Sequence, residues 1–168
     1  MDLSNIKISY SDIQKHIPLS WQEIKFAVDN NIIEKSSFVK HAVYILEEGI
    51  PGFDIVLELS ILDMYDDVTP YVSKLIQLEE RECEECIKSK WLYLILWHLY
   101  KNRNEYSNPL EIVEDIYCEF DYPQSITGFV RYMPSDEPDL GSYEKNEARM
   151  YKKWASYLED EKLKFEKG

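Results

Sequence analysis

The chain has 168 residues, of which 45% are apolar and 30% charged, with only five glycines. That profile belongs to a folded domain with a substantial core and excludes a disordered or low-complexity protein. A formal net charge of −13 argues against direct nucleic-acid binding and for basic partners, although acidity also serves solubility. The excess lies in the middle: residues 46–90 carry twelve acids against four bases, and 91–141 nine against three.

In chain order, Ile6 to Tyr10 alternates apolar and polar residues but is too short to argue for a sheet. Ser11 or Asp12 is expected to cap a short turn ending before Pro18. Ser20 with Glu23 three residues on is a capping box, with Trp21, Ile24, Phe26, Ala27 and Val28 as the inward face. Asn30-Asn31 stops that helix. Ser36 or Ser37 starts the next, with Phe38, Ala42, Val43, Ile45 and Leu46 inward and Gly49 and Pro51 beyond its end. A third helix is predicted from about Phe53 to Tyr65, burying Ile55, Val56, Leu59, Ile61 and Leu62. Pro70 admits a fourth, burying Val72, Leu75, Ile76 and Leu78.

Residues 79–86, EERECEEC, read as a solvated junction or a helix surface. Then comes the stretch that organises the chain, Lys90 to Lys101. Trp91 through Tyr100 holds no charged residue and is apolar all round, so it is expected to be a buried central helix. It is too short to cross a bilayer, which takes roughly 20 apolar residues. Asn108-Pro109 opens a helix with Leu110, Val113, Ile116, Tyr117 and Phe120 inward. Ser125 to Met133 is short and aromatic, Pro134 to Ser142 an acidic loop. Residues 141–168 form a C-terminal amphipathic helix packing on the rest, with Tyr151, Trp154 and Leu158 at helical spacing. The fold expected is all-α: a single domain, residues 1–168, of stacked antiparallel helical hairpins around the central helix.

Chemistry is sparse. Cys83-x-x-Cys86 lacks a second ligand pair, since the remaining cysteine is Cys118 and His16, His41 and His98 show no paired spacing. Its flanking glutamates are expected to raise the thiol pKa values, so the pair reads as solvent-side cysteines on a helix. His98 is expected in the core, hydrogen-bonded to a tyrosine or a carbonyl. No metal or cofactor is expected. The odd cysteine count, with no leader-like segment at the start, points to a reduced cytoplasmic setting. Asp63, Asp66 and Asp67 cluster after one helix, and Glu114, Asp115, Glu119 and Asp121 along another. The spacing matches no calcium loop, so both clusters read either as solvated faces or as acidic surfaces receiving a partner's basic residues. Tyr122 and Arg131 join the second cluster in an aromatic corner, where Asp121 is expected to pair with Arg131. Aromatics beside one arginine also suit a recognition surface.

The run Pro109-Leu110-Glu111, Glu114-Asp115-Ile116-Tyr117, Phe120-Asp121-Tyr122-Pro123 and Phe129-Val130-Arg131-Tyr132-Met133-Pro134 resembles a family of small bacterial proteins of unknown function. The resemblance carries no catalytic residues with it. Similar small acidic proteins often accompany polymorphic toxins, so it implies an immunity protein, not an enzyme, that binds a cognate toxin domain such as a basic nuclease. A helical adaptor in a larger assembly is the alternative reading, and a carboxylate-metal enzyme the third.

Overall fold

The computed structural model describes residues 2–166. Among them every regular element is helical and no strand occurs, so the chain is all-α. The helices are α1 (Tyr10–Ile13), α2 (Trp21–Asp29), α3 (Ser37–Ile45), α4 (Phe53–Ser60), α5 (Thr69–Gln77), α6 (Glu84–Lys101), α7 (Pro109–Glu119) and α8 (Tyr143–Glu166). Short 3-10 turns lie at Arg103–Glu105 and Gln124–Phe129. Contacts divide the chain into two compact units, Lys7–Trp91, and Asp2–Ile6 together with the chain from Leu92 onward. The continuous helix α6 runs from the first into the second. Trp91, Tyr93, Leu94, Ile95, Leu96 and Leu99 on it are wholly buried, as an all-round apolar helix requires.

In the first unit α1 packs on α3, α2 on α3 and α5, and α4 on both α3 and α5. The capping box forms as read: the Glu23 N–H donates to Ser20 Oγ at 3.1 Å and the Ser20 N–H to Glu23 Oε2 at 2.8 Å. Asn31, at φ 57°, ends α2 in a left-handed turn. Its N–H reaches the Val28 carbonyl at 3.1 Å and the Ile32 N–H the Ala27 carbonyl at 2.8 Å, a Schellman closure. The capping residue of α1 is Ser9, two or three residues earlier than expected, with its N–H on Asp12 Oδ2 at 2.8 Å. Gly52 opens α4 at φ 71°, where a Cβ would lie 2.8 Å from Leu78 Cδ1 and 3.0 Å from Leu75 Cδ2. The left-handed backbone favours glycine there, and any larger residue would also have to displace those two leucine methyls.

Several expected core positions face outward. Val43, Ile61 and Leu78 are exposed, and α4 ends at Ser60 rather than running to Tyr65. The reason is local. Aspartates in the following segment bind backbone N–H groups in turns, which competes with continuing the helix.

In the second unit α7 and α8 each pack on the 3-10 turn Gln124–Phe129. All five residues expected on the inner face of α7 and its C-cap are buried: Leu110, Val113, Ile116, Tyr117 and Phe120. Trp154 of α8 stacks between Phe129 (5.8 Å) and Tyr151 (5.9 Å), with Tyr100 edge-on at 5.1 Å. The segment from Pro134 to Ser142 is a loop, tied to α8 by Arg149 on the Pro138 carbonyl at 2.8 Å and Asn146 on Asp139 Oδ1 at 2.7 Å. Glu137 there meets both Arg149 (3.2 Å) and Lys153 (3.0 Å).

Candidate functional site

Asp63, Asp66 and Asp67 lie together in the connection between α4 and α5. Each accepts a backbone N–H: Tyr65 to Asp63 Oδ1 at 2.8 Å, Asp63 to Asp66 Oδ2 at 2.8 Å, and Thr69 to Asp67 Oδ1 at 3.0 Å. The Thr69 hydrogen bonds hold the Asp67 carboxyl below the usual carboxylate range. So these acids shape the loop as well as charge it. The side chains they present are apolar: Ile61 is 78% exposed, Met64 84% and Tyr65 88%. Beside them runs a groove of about 460 Å³ lined by Lys35, Val39, Lys40, Leu62, Asp63 and Met64. Reading Ile61 as core hid this patch. Three aspartates within five residues were the available signal that the chain turns there.

The other acids occupy the second unit. Glu114, Asp115 and Glu119 are half-buried on α7, while Asp121 and Tyr122 are exposed just beyond it. Glu114, not Asp121, takes Arg131: Nε donates to Oε1 at 2.7 Å and Nη2 to Oε2 at 3.0 Å, a bidentate pair. Glu114 sits about a turn and a half before the helix end and faces the returning chain, whereas Asp121 is itself part of the helix stop. Asp115 accepts from Asn5 Nδ2 at 2.9 Å. Asp121 and Tyr122 both adopt φ 59°, a conformation unusual for a tyrosine. Their N–H groups close α7 on Cys118 (3.2 Å) and Tyr117 (2.9 Å), and the Tyr122 ring meets Tyr117 edge-on at 5.2 Å. This is a second Schellman motif with its usual apolar contact, built without glycine. The Cys118 thiol beside it raises the Tyr122 hydroxyl pKa.

His98 is buried as expected, but its side-chain neighbour is Asn102 Nδ2 at 3.4 Å rather than a tyrosine. The histidine with a tyrosine partner is His41. The Tyr10 hydroxyl is hydrogen-bonded to its Nδ1 at 2.7 Å, Trp21 packs edge-on at 4.6 Å, and burial lowers its pKa to about 4. Glu23, 3% exposed, salt-bridges Lys90 at 2.7 Å, and its carbonyl accepts Trp91 Nε1 at 2.8 Å. Burial raises the Glu23 carboxyl against the opposing pull of Lys90.

The 79–86 stretch is not simply solvated. Glu79 reaches across to the start of α2, accepting the N–H groups of Trp21 (2.7 Å) and Gln22 (3.1 Å). The glutamates push both thiols up as expected, but at Cys83 they are outweighed. Hydrogen bonds from the Cys86 thiol and from backbone N–H groups lower Cys83, while Cys86 is raised, chiefly by Cys83 itself. Among the described residues no group of three or more His, Cys, Asp or Glu side chains is placed to hold a metal ion. No helix there is long and apolar enough to cross a membrane.

Neither curated proteins nor solved structures yield a match to this chain. A family model described as "Uncharacterized protein conserved in bacteria (DUF2247)" does match, over residues 10–162. That span takes in the helices α1 to α7 and most of α8, including the Phe-Asp-Tyr-Pro corner, and the chain belongs to this bacterial family.

Proposed function

We propose that the protein is a binding module, not an enzyme, and that it works as an immunity protein covering a cognate bacterial toxin domain through an acidic surface. The observation that carries this reading is the α4–α5 loop, where exposed Ile61, Met64 and Tyr65 alternate with Asp63, Asp66 and Asp67. Apolar anchors interleaved with aspartates suit a partner whose contact face sets basic groups beside apolar pockets. A basic nuclease domain has that character. The acid-rich middle of the chain would speed the encounter, and the interaction belongs inside the cell that makes the toxin.

The test is a pull-down from the producing bacterium with this protein as bait, followed by titration of the recovered partner. Recovery of a toxin's catalytic domain, with affinity falling steeply as salt rises, supports the proposal. Met64→Ala with Tyr65→Ala should weaken that complex tenfold or more, on the order of 2 kcal/mol. Replacing Asp63, Asp66 and Asp67 with asparagine keeps the turn-forming oxygens and removes the charge, so it should slow association while leaving the fold intact. Recovery of a housekeeping assembly insensitive to both variants would replace this reading with that of a helical adaptor.

A further inference from the structure

We propose that Cys83 and Cys86 form a redox-active dithiol that exchanges with small cationic disulfides, Cys83 attacking and Cys86 resolving. Three observations converge on it, none involving the α4–α5 loop. Cys83 immediately precedes α6, and its carbonyl accepts the N–H groups of Cys86 and Ile87, both at 3.0 Å. That makes it the N-cap of an 18-residue helix, where free N–H groups and the helix dipole favour a thiolate. Cys86 follows one turn on, its N–H on the Cys83 carbonyl, so a single turn at the helix start carries both thiols. Both side chains are exposed and reduced, open to a reagent in solution.

The segment that carries them is held in place. The Glu82 N–H donates to Gln22 Oε1 at 3.1 Å, and Gln22 Nε2 donates to the Glu80 carbonyl at 2.8 Å. An anchored approach differs from a pair of cysteines on a loose tail. The surroundings then select the reagent. Glu80, Glu82, Glu84 and Glu85 flank the thiols against Arg81 and Lys88, a net negative collar that attracts cationic disulfides and repels anionic ones such as oxidised glutathione.

The exchange balances without further reactants. The Cys83 thiolate attacks one sulfur of a disulfide RSSR, forming a mixed disulfide and releasing RS⁻, which takes up a proton. Cys86 loses its proton, attacks the Cys83 sulfur and displaces the second RS⁻, which is protonated in turn. The protein dithiol is oxidised by two electrons and RSSR is reduced to two RSH. Cys118 is a control within the same chain. It is exposed too, but it lies near the C-terminal end of α7, where the dipole opposes a thiolate.

The experiment treats the reduced full-length protein with cystamine at low ionic strength, then quenches, alkylates and maps the peptides. Wild type should become two hydrogens lighter, with a Cys83–Cys86 disulfide and Cys118 still alkylatable. Cys86→Ser should stop at a single cysteamine adduct on Cys83. Reaction at Cys83 in wild type should outpace that at Cys118 by on the order of tenfold, a comparison that needs no variant to fold. Cystamine should also outpace neutral hydroxyethyl disulfide by a ratio that shrinks as salt rises. Equal labelling of Cys83 and Cys118, or stable adducts on both Cys83 and Cys86, would overturn the dithiol. A rate ratio indifferent to salt would overturn the selection of cations.

Discussion

Two buried tryptophans differ in one atom's circumstances. Trp91 Nε1 donates to the Glu23 carbonyl at 2.8 Å, whereas Trp154 Nε1 is buried with no acceptor, its ring held by aromatic faces alone. Truncation to phenylalanine removes similar volume at both sites but loses a buried hydrogen bond only at Trp91. Trp91→Phe should therefore destabilise more than Trp154→Phe, by on the order of 1–2 kcal/mol in urea unfolding. His41 makes a second prediction at this scale. Its native pKa of about 4 lies below the ordinary 6.5 because burial disfavours the charged ring. The unfolded chain thus takes up a proton below pH 6.5 that the native state refuses. The stability this histidine contributes is complete above pH 6.5 and drains away as pH falls to about 4, by on the order of 3 kcal/mol. His41→Gln should flatten the pH dependence over that window; an unchanged slope would assign the acid sensitivity to other groups. Nothing in the sequence around His41 marked it out, because its partner Tyr10 is 31 residues away.

At the scale of the element, local signals were legible and remote ones were not. The Ser20–Glu23 box, the Asn-Pro start of α7 and its buried face all follow from residues within a few positions of one another, and all are present. The α4 boundary was misread because Ile61 and Leu62 continue an apolar pattern, while the aspartates behind them bind the backbone and end the helix. Of the candidate site, the acids could be located in the sequence, but their division between turn-making and display could not. That division depends on which N–H each oxygen finds. The Asn31 turn offers a test of how such stops work. At φ 57° a Cβ without a compensating polar group is strained. Asn31→Ala should lower stability by about 1 kcal/mol, and Asn31→Gly should lower it not at all. Paired urea midpoints decide between them.

At the scale of the whole chain, the buried run in α6 and the all-helical architecture could be read from composition and periodicity, which sum over many residues. The polar bonds that lock α2 in place were hidden because they join distant positions: Glu79 lies 58 residues from Trp21 and Lys90 67 from Glu23. They carry a consequence for hydrogen–deuterium exchange. The opening amides of a helix ordinarily have no acceptor within it and exchange early. Here the Trp21 and Gln22 amides are held by Glu79 and the Glu23 amide by Ser20, with Glu23 itself fastened to α6 through Lys90. These protons are released only when the 79–82 segment and the start of α6 let go together. The first turn of α2 should therefore exchange as slowly as its middle, in one cooperative event, and Glu79→Ala should free its amides to exchange ahead of the rest of the helix.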